Sequence, residues 1–132
     1  MDSGLPGNGR GPGGRLLKSF VYALSGIGSA IKRERNLQIH IFAGTVAIGL
    51  SILFSISKME WLFILLAIAG MLSLELLNTA VERVVDLVTE EFHPIAKQAK
   101  DIAAGAVLVY ACLSLLIGAI IFLPKITLIF GR

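Results

Sequence analysis

Cysteine is almost absent: Cys112 is the single one among 132 residues. That excludes an intrachain disulfide and any site built from several thiolates. Histidine is nearly as scarce, and His40 and His93 with one thiol cannot by themselves complete a zinc centre. Charge is also sparse. Asp, Glu, Lys and Arg make up 16% of the chain, and twelve basic against nine acidic residues leave a formal +3. This balance is too small and too scattered for a nucleic-acid surface, and no nucleic-acid partner is expected. The Gly-Lys-Ser/Thr end of a Walker loop occurs nowhere. Gly9 to Gly14 matches GxGxxG, but that motif works only between a strand and a helix of a parallel sheet, and neither is present. What fills the space instead is apolar. Hydrophobic residues are 55% of the sequence and the mean hydropathy is +0.81. A chain this short has too few polar residues to cover such a core with a water-facing shell, so lipid is the expected solvent.

Residues 1–14 carry six glycines and two prolines and no apolar periodicity, which predicts a disordered cytosolic leader rather than a signal peptide. The remainder, 15–132, reads as one membrane domain. From Arg15 to Arg33, at about 100° per residue, Leu16, Leu17, Phe20, Leu24, Ile27 and Ile31 fall in one stripe. Lys18, Tyr22, Ser25, Ser29, Lys32 and Arg33 lie opposite. The pattern suits an amphipathic helix in the membrane interface, and equally a helix packed on other protein helices. Three longer apolar runs follow, Ile39–Ile56, Trp61–Leu74 with a polar-dotted continuation to Val88, and Ile102–Leu123. They predict an all-α integral membrane protein with spans at about 38–57, 60–88 and 100–123. Nine Lys and Arg lie before the first span, after the second or, for Arg83, near the end of the second, against three on the other side. This places the N-terminus in the cytosol and the C-terminus outside the cell membrane.

The second span is unusual. With Glu75 as origin, Asn78, Glu82 and Asp86 fall at about −60°, −20° and +20°, so three carboxylates and an amide share one face. If Trp61 marks the outer interface, Glu75 lies about 21 Å along the helix and Glu82 about 31 Å, against about 30 Å of hydrocarbon. An ionisable residue below the surface costs about 2.5 to 3.5 kcal/mol to insert. Hard oxygens in line are what a divalent cation with bound phosphate would compensate. A carboxylate deeper than such a metal is placed to act as general base on a hydroxyl held under the head groups. The alternative use of the stripe is polar glue between helices of an oligomer. Glu34, level with Glu82, could share the metal, although acids among basic residues are usually salt-bridge partners. Lys100 could meet a phosphate from the side opposite the carboxylates. His93-Pro94 reads as a turn, and His40 and Cys112 as packing residues.

The run Glu75-Leu-Leu-Asn78-Thr-Ala-Val-Glu82-Arg-Val-Val-Asp86, followed by Glu90-Glu91-Phe92-His93 and Ala99-Lys100-Asp101, closely resembles the prokaryotic diacylglycerol kinase family of small trimeric integral-membrane kinases. The segment Glu34 to His40 is similar to its Gram-positive branch, which mainly phosphorylates undecaprenol. The resemblance implies a homotrimer with each site at a subunit boundary. It also implies Glu75 as catalytic base beside the lipid hydroxyl, and Glu34 and Glu82 as ligands of the Mg2+ of MgATP. Asn78, Lys100 and Asp101 would orient the nucleotide, with further contacts from Arg15, Tyr22, Glu91, Phe92 and His93. Phe92 stands where members often have tyrosine, and Pro94 follows it at once. The expected activity is ATP-dependent phosphorylation of a membrane lipid alcohol, with undecaprenol ahead of diacylglycerol. The rival from another class is a non-enzymatic oligomeric channel whose pore the stripe lines.

Overall fold

The computed structural model describes residues 12–131, and all of its regular structure is helical: α1 Pro12–Arg33, α2 Arg35–Leu53, α3 Lys58–Val88 and α4 Pro94–Phe130. The chain divides into two compact units on either side of the Arg33–Glu34 bond.

The first unit contains α1. It begins at Pro12, whose fixed φ suits a first helical turn, so it takes in Gly13 and Gly14, assigned above to the leader. Residues 1–11 of that expected leader lie outside the described residues. Ser19 turns its hydroxyl back to the Arg15 carbonyl at 3.1 Å, and Lys32 and Arg33 close the last turn, where positive charge complements the helix dipole.

In the second unit, α2 and α4 both pack on α3. All three helices are long and apolar enough to cross a membrane. At 1.5 Å per residue, the 19, 31 and 37 residues of α2, α3 and α4 reach about 28, 46 and 55 Å. The last two therefore overrun a hydrocarbon layer of about 30 Å. The main apolar cluster, Ile56, Ile64, Ile121 and Phe122, sits where α3 begins and α4 ends, with the Phe54 and Phe122 rings 6.2 Å apart between centroids.

Of the six expected span boundaries only the end of the second, at Val88, is unchanged. The first span ends at Leu53 rather than near 57, because Ser55 takes a left-handed φ of 47°. Its N–H then reaches the Ile52 carbonyl and that of Ile56 reaches Ser51, at 3.1 and 3.2 Å, the paired bonds of a Schellman turn. Ser57 is the N-cap of α3, which starts at Lys58. Its hydroxyl accepts from the Glu60 N–H and its own N–H donates to the Glu60 carboxylate, a reciprocal cap that satisfies two otherwise orphaned donors. The third span starts six residues before 100 and continues through Pro124 to Phe130. A proline removes one backbone donor, and the rest of a long apolar helix can carry that loss.

Two close approaches hold the layers in register. Gly70 lies under Tyr110 of α4, where a Cβ would come within 2.0 Å of the phenol oxygen, and that hydroxyl donates to the Leu66 carbonyl at 2.9 Å. Gly44 of α2 lets Ile68 of α3 approach to 3.2 Å of the same imagined position.

Candidate active site

The buried positions on α3 are Ile64, Ala67, Met71, Glu75, Asn78 and Thr79, spaced by three or four residues as one helix face requires. The face is apolar from Ile64 to Met71 and turns polar at Glu75. The polar stripe read from the sequence is thus the continuation of a packing face, not a separate surface. Glu75 is 3% exposed and has no hydrogen-bond or ion-pair partner among the described residues. Asn78 donates from Nδ2 to Oε1 of Glu82 at 3.2 Å, one turn along the same face. Its Oδ1 is buried with no donor, a state that normally costs about 1 to 3 kcal/mol. Thr79, buried beside it, gave no sequence signal, since a threonine in an apolar helix is unremarkable by composition.

Glu34 caps the start of α2 by position only, because its side chain makes no capping hydrogen bond. Its carboxylate instead accepts from Arg83 Nη2 at 3.0 Å. Of the two roles open to Glu34, a metal shared with Glu82 or a salt bridge, the structure shows the salt bridge, and its partner is the arginine after Glu82, which the sequence reading did not single out. The clue available was position: Arg83 is the one cation within the run from Glu75 to Asp86.

Lys100 meets the stripe rather than standing across from it, as its Nζ donates to Oδ1 of Asp86. Asp101 pairs with Lys97 one turn earlier on α4. His93 is more than a turn residue. It is the N-cap of α4, and its Nδ1 accepts from the Ile95 N–H at 3.2 Å, with Pro94 at the first helical position. Around the α3–α4 connection, Asp86, Glu91, Phe92, His93 and Lys100 line a polar groove of about 350 Å³. Arg15 and Tyr22 lie on α1, in the other unit. A second, apolar groove of about 450 Å³ between α2, α3 and α4 includes His40, Ala67, Met71 and Ser114, and its Met71 edge is about one helical turn from Glu75. Cys112, expected to pack, is exposed on α4.

Among the described residues no three His, Cys, Asp or Glu side chains converge as a metal cage.

A sequence model of the prokaryotic diacylglycerol kinases matches residues 21–122. The chain belongs to that family. It is 52% identical over 112 residues to the undecaprenol kinase of Bacillus subtilis, covering 85% of this chain and 91% of that protein. A diacylglycerol kinase of Synechocystis sp. is 41% identical over 84% of this chain and 64% of its own length. A diacylglycerol kinase of Haemophilus influenzae is 32% identical over 81% of this chain and 92% of its own. Membership of a family of lipid kinases makes the chain an enzyme rather than a non-enzymatic channel.

Proposed function

We propose that the protein is a lipid kinase that transfers the γ-phosphoryl group of ATP to a membrane prenol, undecaprenol in the first place. The carrying observation is Glu75, a carboxylate buried at mid-helix with no partner among the described residues, in a sequence 52% identical to an undecaprenol kinase. Diacylglycerol is the second substrate reading, favoured by the names of the other relatives.

In this mechanism the lipid enters from the side, its tail along the apolar groove and its hydroxyl beside Glu75. Glu75 accepts the hydroxyl proton as the lipid oxygen bonds to the γ-phosphorus, and the bond from that phosphorus to the bridging oxygen breaks to release ADP. Glu34 and Glu82 would hold Mg2+, which neutralises phosphate charge when bound. Asn78 fixes Glu82 through its amide, leaving Oδ1 for a donor from the substrate or from another subunit. Lys100, Asp101, Glu91, Phe92 and His93 orient the nucleotide, and for Arg15 and Tyr22 of α1 a nucleotide contact is carried by the family resemblance alone. That helix lies in the cytosolic interface, the N-terminus is cytosolic and the C-terminus extracytoplasmic. The assembly is a homotrimer, a reading supported by polar groups left without partners among the described residues and by the wide exposed apolar faces of α2, α3 and α4.

The deciding experiment supplies the purified protein in mixed micelles with labelled ATP and each lipid alone or in competition. Phosphoryl transfer to undecaprenol with the larger kcat/KM is expected. Preference for diacylglycerol would reject the substrate, and transfer to neither would reject the kinase reading. In the same assay Glu34→Gln and Glu82→Gln each raise the magnesium concentration needed for half-maximal rate. Unchanged dependence in both would remove them as metal ligands.

A further inference from the structure

The polar groove at the α3–α4 connection is lined by two lysines, Lys97 and Lys100, and by Asp86, Glu90 and Glu91. Neither lysine is idle, since Lys97 is held by Asp101 and Lys100 by Asp86. The groove therefore carries more acidic than basic side chains, an unusual lining for a place meant to receive phosphates.

We propose that Asp86 is a resident competitor for Lys100, a carboxylate that occupies the lysine until nucleotide phosphate displaces it, and that this makes the groove favour metal-bound over metal-free ATP. The proposal rests on the ATP reading above and assigns Asp86 a positioning role rather than a catalytic one. Three observations carry it. Asp86 and Lys100 both line the groove, so the exchange needs only rotation of a flexible lysine stem. The Lys100 and Asp86 side chains are 37% and 63% exposed, so water takes over the carboxylate as the pair opens and the exchange costs little. The remaining acids, Glu90 and Glu91, repel a metal-free triphosphate more than its less negative magnesium complex.

The test is equilibrium binding of ATP to the detergent-solubilised full chain without a lipid acceptor, once with EDTA and once with magnesium. Asp86→Asn should tighten metal-free ATP about fivefold, the scale of one exposed ion pair, and tighten MgATP less. Both gains should shrink in 1 M salt, where the screening length is about 3 Å. Asp86→Glu, which keeps the charge, should bind as the wild type does. Unchanged or weaker binding of metal-free ATP to Asp86→Asn, with normal binding by the wild type, would overturn the inference and leave the kinase reading standing. Failure of the wild type to bind any nucleotide would overturn the ATP reading and this inference with it.

Discussion

The two ends of α3 treat polar groups in opposite ways. Where the helix begins, Glu60 closes the Ser57 cap with one oxygen and accepts from Lys125 of α4 with the other at 2.8 Å. Cap, ion pair and the adjacent apolar cluster are complete within one chain. Toward its other end the same face carries Glu75, without a partner among the described residues, and Asn78 with a buried unpaired oxygen, while Arg83 beside it is tied to Glu34 at the start of α2. The first end has the chemistry of a joint. The second holds insertion and desolvation costs that nothing among the described residues offsets, as the proposed completion by substrate or by another subunit requires. Stability and activity should therefore respond with opposite signs to the loss of a carboxylate at the two ends.

The largest effect is expected at the open end. Glu75→Gln keeps the shape and removes the proposed proton acceptor, so turnover should fall by at least about 10²-fold, while nucleotide binding persists and thermal stability holds or rises. Turnover near that of the wild type would remove Glu75 as the base, and a marked loss of stability would show that it belongs to the joint instead.

Between the two ends, Gly70→Ala places a methyl where the Tyr110 phenol lies. Displacing that ring also breaks its bond to Leu66, so a loss of about 1 to 3 kcal/mol is expected. Gly70→Ala combined with Tyr110→Ala should recover part of it, and additive losses would refute the clash. At the closed end, Glu60→Ala removes half of the cap and the Lys125 partner together. A loss of about 1 to 2 kcal/mol with kcat unchanged is expected, measured by unfolding in detergent alongside the micelle assay.

The sequence made the open end legible and the closed end obscure, for a physical reason. Glu75, Asn78 and Glu82 stand out because polar residues at helical spacing in a long apolar run are costly, and the spacing alone puts them on one face. Lys125 and Glu60 are ordinary residues at span ends, and only the packing of α4 on α3 brings them together. Arg83 with Glu34 and Asp86 with Lys100 are likewise products of tertiary contact. Pro124 reads as a terminator, yet the helix has enough other bonds to pass it. Ser55 conceals a helix end because a serine occupies a position that glycine usually announces.

That serine gives the smallest effect, and one confined to the closed end. A non-glycine residue with left-handed φ pays a clash between its Cβ and backbone of about 1 to 2 kcal/mol, against which glycine loses more backbone freedom on folding. Ser55→Gly should thus stabilise the protein by about 0.5 to 1 kcal/mol, with the bonds of Ser55 and Ile56 to the end of α2 retained. Turnover should not change, because the turn lies at the end of α3 remote from Glu75. Ser55→Val at the same position should destabilise, since a β-branched residue fits left-handed backbone worst. If both substitutions left the unfolding midpoint where it was, Ser55 would not hold this conformation in the membrane. The closed end would then be less fully determined by its own chain than the comparison requires.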